Sequence, residues 1–183
     1  MNDKKILLIY GLIGGAILVI SFFLFSSLWM SDSGGMDFQL GELIGYASMI
    51  LALSTVFFGV KAYRDKQRNG FISFKDAFIN GLIIVLIASV IYVIGWMIYY
   101  PTFMPDFAEQ YMQHEQVRLI EEGLSQEEVD RKMAEMKSYM AMYDNPVIMA
   151  GITFLEIFPV GLVIALISAL ILKRKTTAAE QTI

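Results

Sequence analysis

Four long apolar runs alternate with polar segments along the 183 residues of the chain. Ile6–Met30 is uncharged over 25 residues, Leu43–Val60 over 18 and Ala77–Tyr100 over 24, and Val147–Leu172 is interrupted only by Glu156. At ~1.5 Å rise per residue, each run as a helix can cross ~30 Å of hydrocarbon, the second only if Lys61 snorkels at its end. The pattern predicts an all-α, polytopic membrane protein with spans at 6–30, 43–62, 74–100 and 147–172, in one membrane domain covering 1–183. The first run is longer than the apolar part of a signal peptide and lacks an Ala-x-Ala-like site, so it is expected to remain as a helix.

The polar segment 106–144 is patterned differently. Ser125 and Glu128 have capping-box spacing, with Leu124 and Val129 placed as its hydrophobic staple. Val129, Met133, Met136, Met140 and Tyr143 then recur at steps of four and three, an apolar stripe on one helix. Ahead of Gly123, the positions Phe107, Tyr111, Val117 and Ile120 are less regular. Pro101 and Pro105 are expected to end the third span at Tyr100, and Asn145-Pro146 to end the insert. The expectation is an extracytoplasmic helical hairpin between the third and fourth spans.

Charge orients this frame. With both termini inside, the cytoplasmic pieces hold ten Lys/Arg against four acids, and the exterior pieces four against thirteen. Lys61, Arg64, Lys66 and Arg68 lie in the bridge between the second and third spans, and Lys173, Arg174 and Lys175 follow the fourth. Short loops rich in Lys and Arg stay cytoplasmic, so N- and C-termini are expected on that side. These cations suit anionic membrane lipids as well as topology. They are too few and too dispersed for a nucleic-acid surface. Asn69-Gly70 reads as the turn that stops the second helix, and Ser73 with Asp76 as a partial capping box for the third.

The segment Gly59-Val60-Lys61-x-Tyr63-Arg64-Asp65-Lys66 through Asn69-Gly70-x-Ile72-Ser73-Phe74, with Ala77-Phe78 and Gly81, resembles the hallmark of domain of unknown function 4199. Glu156-Ile157-Phe158-Pro159-Val160-Gly161 is similar to the last helix of that family. The resemblance implies a small four-helix bacterial membrane protein of the inner membrane and carries no activity, cofactor or catalytic residue.

Candidate chemistry is sparse. Glu156 lies about ten residues into the fourth run, ~14 Å by helix rise and near the bilayer middle. An ionised carboxylate there costs about 2.5–3.5 kcal/mol, so it is expected to face the bundle, be protonated or find a hydroxyl partner. Ser21, Ser48, Ser54, Thr55, Ser89 and Tyr92 are the candidates, and a proton-linked transporter or channel using Glu156 is the alternative function. Pro159 removes a backbone donor three residues later. His114 stands alone, and with no cysteine in the chain a zinc site would rest on carboxylates. Tyr143-Asp144 lacks a second intramembrane acid. Phosphate-loop, zincin and serine-hydrolase motifs are missing, so no cofactor and no enzyme are expected. Gly11, Gly14 and Gly15 form a small-residue face for close helix approach. The leading expectation is a non-enzymatic protein acting through a protein partner at 106–144, or through a homo-oligomer built on the glycine faces.

Overall fold

A computed structural model describes residues 3–29 and 38–174. The acidic loop with Asp32 and Asp37, the end of the first span at Met30, Lys175 and the tail after it lie outside the described residues. Among the described residues there are seven helices: α1 (Asp3–Trp29), α2 (Phe38–Leu53), α3 (Thr55–Gln67), α4 (Phe74–Phe103), α5 (Phe107–Glu121), α6 (Gln126–Tyr143) and α7 (Pro146–Leu172). Four stretches are long and apolar enough to cross a membrane: Lys4–Leu24, Gly41–Gln67, Phe74–Phe103 and Pro146–Leu172. The chain is therefore an all-α, multi-pass membrane protein. It divides into a bundle unit, Met1–Val93 with Phe154–Ile183, and an insert unit, Ile94–Thr153.

The bundle unit has a small-residue interior. A Cβ on Gly15 of α1 would lie 2.7 Å from Ile91 Cβ, and one on Gly11 2.7 Å from Ile87 Cβ, so α1 and α4 touch nearly backbone to backbone. Gly81 of α4 meets Ala165 of α7 and Val56 of α3, while Gly161 of α7 receives Val85. Ala52, Ala77, Ala88, Ala165 and Ala169 are buried with Leu53, Ile84 and Ile157. Large apolar side chains point outward instead, among them Leu51 at 71% exposure and Ile171 at 64%. Without water as the alternative solvent, close packing of small residues holds such helices together, and the bulky ones face lipid.

The second crossing is not one helix. It breaks at Ser54, whose Oγ donates to Leu51 O at 2.6 Å, while Thr55 Oγ1 donates to Ala52 O at 2.7 Å. Hydroxyls that bond back to the preceding turn bend a helix, and Gly14 of α1 sits against Thr55 at this point. Pro101 also departs from expectation. It lies inside α4, which continues to Phe103. One missing donor costs one backbone bond, and Met104 N still reaches Tyr100 O at 3.0 Å.

In the insert unit, α5 and α6 pack on each other. Gly123 with φ +80° turns the chain between them. The capping box forms in full: Ser125 Oγ accepts from Glu128 N at 3.4 Å, and the Glu128 carboxylate accepts from Ser125 N at 3.0 Å. Val129 is 1% exposed, and Met133, Met136, Met140 and Tyr143 are half-buried while their neighbours on α6 are exposed, so the predicted stripe faces inward. On α5 the inward face is different from the expected one. It runs Phe107, Tyr111, Glu115, Leu119 at steps of four, leaving Val117 and Ile120 exposed.

Candidate functional site

Three places carry chemistry, and the basic end of the bundle unit is the most organised. Asn69 and Gly70 have φ +49° and +84°, a left-handed pair that lets the chain reverse after α3. Gly70 N then reaches Arg64 O at 3.1 Å. Ser73 Oγ accepts from Asp76 N at 3.1 Å and donates to the Asp76 carboxylate at 2.8 Å, starting α4 as its spacing predicts. Between these two caps, Ile72 forms an antiparallel bridge with Arg174: Ile72 N donates to Arg174 O at 3.1 Å, and Arg174 N donates to Ile72 O at 2.8 Å. The chain just past α7 is thereby tied to the α3–α4 loop.

The side chains of this end have separate tasks. Arg64 is half-buried, with Nε on Asp65 at 2.7 Å and Nη1 on Leu172 O at 3.4 Å, so it caps the C-terminus of α7. A cation at a helix C-terminus also complements the helix dipole. Arg68 lies over the Tyr63 ring, 5.8 Å from its centroid, and its Nε donates to Tyr63 OH at 3.3 Å. Lys61, Lys66, Lys173 and Arg174 are exposed. The Arg64 bond to Leu172 O and the Ile72–Arg174 bridge bring cations from α3 and from the end of α7 to one end of the unit.

Glu156 is the second place. Glu156, expected to face the bundle, be protonated or find a hydroxyl partner, is on the exposed side of α7 and makes no hydrogen bond or ion pair with the described residues. Its candidate partners are engaged or turned elsewhere. Ser21 and Ser48 donate to Ile17 O and Ile44 O, Ser54 and Thr55 bond within their own turn, and Ser89 Oγ is buried without a partner. The 27 residues of α7 make ~40 Å, longer than a ~30 Å core, and its basic end is held by Arg64 and Ile72. Pro159 is exposed within α7, which runs through it unbroken.

The insert unit is the third. Glu115 is buried on α5 and bonded to Arg118, while His114 Nδ1 lies 3.7 Å from its other oxygen. Reading Glu115 as an interior position makes the α5 spacing regular, which an apolar-only search misses. Trp96 Nε1 donates to Tyr143 OH at 2.7 Å, and Tyr143 OH lies 3.4 Å from Thr153 Oγ1. Tyr100 packs edge-on against both Tyr143 and Phe107. Tyr143 thus ties the end of α6 to α4 and α7, a structural use of a residue that borders Asp144. Among the described residues, no three of His, Asp and Glu group to hold a metal ion.

A family model described as Protein of unknown function (DUF4199) matches residues 9–174. No curated protein and no solved structure matches the chain.

Proposed function

The chain belongs to this family of unknown function, and from that premise we propose that it is a non-enzymatic membrane protein whose insert, 106–144, engages a protein partner. It resides in the bacterial inner membrane with both termini cytoplasmic and the insert outside. The observation that carries this reading is that α5 and α6 pack on each other, with Leu119 and Val129 buried and a complete cap at Ser125. A linker between spans needs neither.

The partner surface would include two apolar pairs that the unit leaves uncovered: Val117 with Ile120 on α5, and Tyr139 with Met142 on α6. Residues three apart are neighbours on a helix face. They stand among ten acids and four bases, so the matching partner offers apolar contacts ringed by Lys or Arg. The glycine faces support this reading by elimination, because α4, α3 and α7 already occupy Gly11, Gly14, Gly15, Gly59, Gly81 and Gly161.

The cysteine-free chain permits a clean test. Single cysteines at Val117, Ile120, Tyr139 and Met142, coupled to a photo-crosslinker in native membranes, should give one adduct of constant mass. A cysteine at Lys66 should not give it. Loss of the reading would follow from adducts independent of position, or from unchanged co-purifying proteins after removal of 106–144.

A further inference from the structure

We propose that the basic end of the bundle unit is a binding site for the headgroup of an anionic glycerophospholipid. Cations that only orient a chain need no fixed arrangement, since insertion responds to their number. Here the arrangement is fixed. The backbone bridge of Ile72 to Arg174, the Arg64 bond to Leu172 O and the turn at Asn69-Gly70 determine where Lys61, Lys173 and Arg174 emerge. Those three side chains make no ion pair with a described residue, while Arg64 and Asp65 satisfy each other. The Ile72–Arg174 bridge and the Arg64–Leu172 bond bring the end of α7 to the α3–α4 loop, although they lie far apart in sequence.

Apolar surface leads into these cations on two helices. Phe58 is exposed one turn before Lys61 on α3, and Ile167, Leu170 and Ile171 are exposed just before Lys173 on α7. A charged head with apolar strips running from it matches a phospholipid, whose phosphate meets the cations while its acyl chains lie along the strips. A free phosphate would use only half of this surface. The inference goes beyond the partner reading of the insert and stands without it.

The test is retention of phosphatidylglycerol by the purified full chain, counted by native mass spectrometry against phosphatidylcholine. Wild type should hold phosphatidylglycerol at a saturable stoichiometry, lost as salt is raised. The K61Q/K173Q/R174Q variant should weaken this on the order of a hundredfold, at about a fivefold effect per cation. The charge-preserving K61R/K173R/R174K variant should hold lipid as wild type does, and the salt titration on wild type gives a reading even where the neutral variant does not fold. Equal retention of both lipids, undiminished retention in a folded neutral variant, or thermal stabilisation by inorganic phosphate equal to that by lipid would each overturn the proposal.

Discussion

In the bundle unit Gly15, Gly81, Ala88 and Ala165 face other helices, while Leu51, Phe58, Val163 and Ile171 face out. In the insert unit Leu119 and Val129 are inside, and most of the outer positions of α6 carry Glu, Asp, Lys or Arg. The bundle unit thus turns many large apolar side chains outward, whereas α5 and α6 turn Leu119 and Val129 inward. Side-chain size and polarity therefore report the solvent each region was selected for. Burial of apolar area drives the insert, whereas closeness of approach holds the bundle.

The comparison breaks first on exposure to the two sides of the membrane. In intact cells, a membrane-impermeant maleimide should label Val117→Cys and leave Lys66→Cys unlabelled until the membrane is permeabilised. Labelling in the reverse sense would invert the charge argument. Next in size is Gly15→Leu, for which Ile91 leaves no room. It should cost about 3 kcal/mol or more as loss of thermal stability in detergent. Gly151→Ala, which meets open space, should change stability by less than ~0.5 kcal/mol. Leu119→Ala in the insert should cost about 2–3 kcal/mol locally, read as faster amide exchange in α5 and α6 with the bundle amides unmoved.

Two smaller effects sharpen the picture of the insert. Glu115→Met replaces a buried, paired carboxylate with an apolar chain of similar volume, so exchange in α5 should stay level or slow. Acceleration would mean that the Arg118 pair contributes more than its desolvation cost. The Glu128 carboxyl is held below the usual carboxylate range, first by the hydrogen bond from the Ser125 hydroxyl and then by that from the Ser125 backbone. A lowered folded pKa gives stability that is complete above the ordinary range and lost as pH falls through the lowered value. Acidification through and below the ordinary carboxylate range should therefore fray the first turn of α6, visible as accelerated exchange at Glu128 and Val129. Ser125→Ala should reduce that pH dependence, since the backbone bond remains, and cost about 1 kcal/mol at neutral pH.

Local rules made much of this legible. The four runs, the Ser125–Glu128 box, the Ser73–Asp76 cap and the α6 stripe all depend on residues within a few positions of each other. What escaped depends on partners far along the chain or on polar atoms used unexpectedly. Glu115 takes an interior position because Arg118 accompanies it. The break at Ser54 arises from hydroxyls competing with the helix ladder inside an otherwise apolar run. Pro101 was read as a stop, yet a lone missing bond in a long helix is tolerated. The glycine motif of α1 announced close approach without saying to what, since α4 is some seventy residues away. Glu156 lies on the exposed side of α7, a face that the uniformly apolar run around it does not mark.

Arg64 and Leu172 are 108 positions apart, and the neighbouring bond pair joins Ile72 to Arg174. During synthesis the turn after α3 emerges from the ribosome long before its other half exists. Its carbonyl and amide at Ile72 must wait, solvated, until the final crossing has been delivered by the insertion machinery. A chain ending before Arg174 would therefore lack both bonds to Ile72, leaving the turn after α3 without its tie to the last helix.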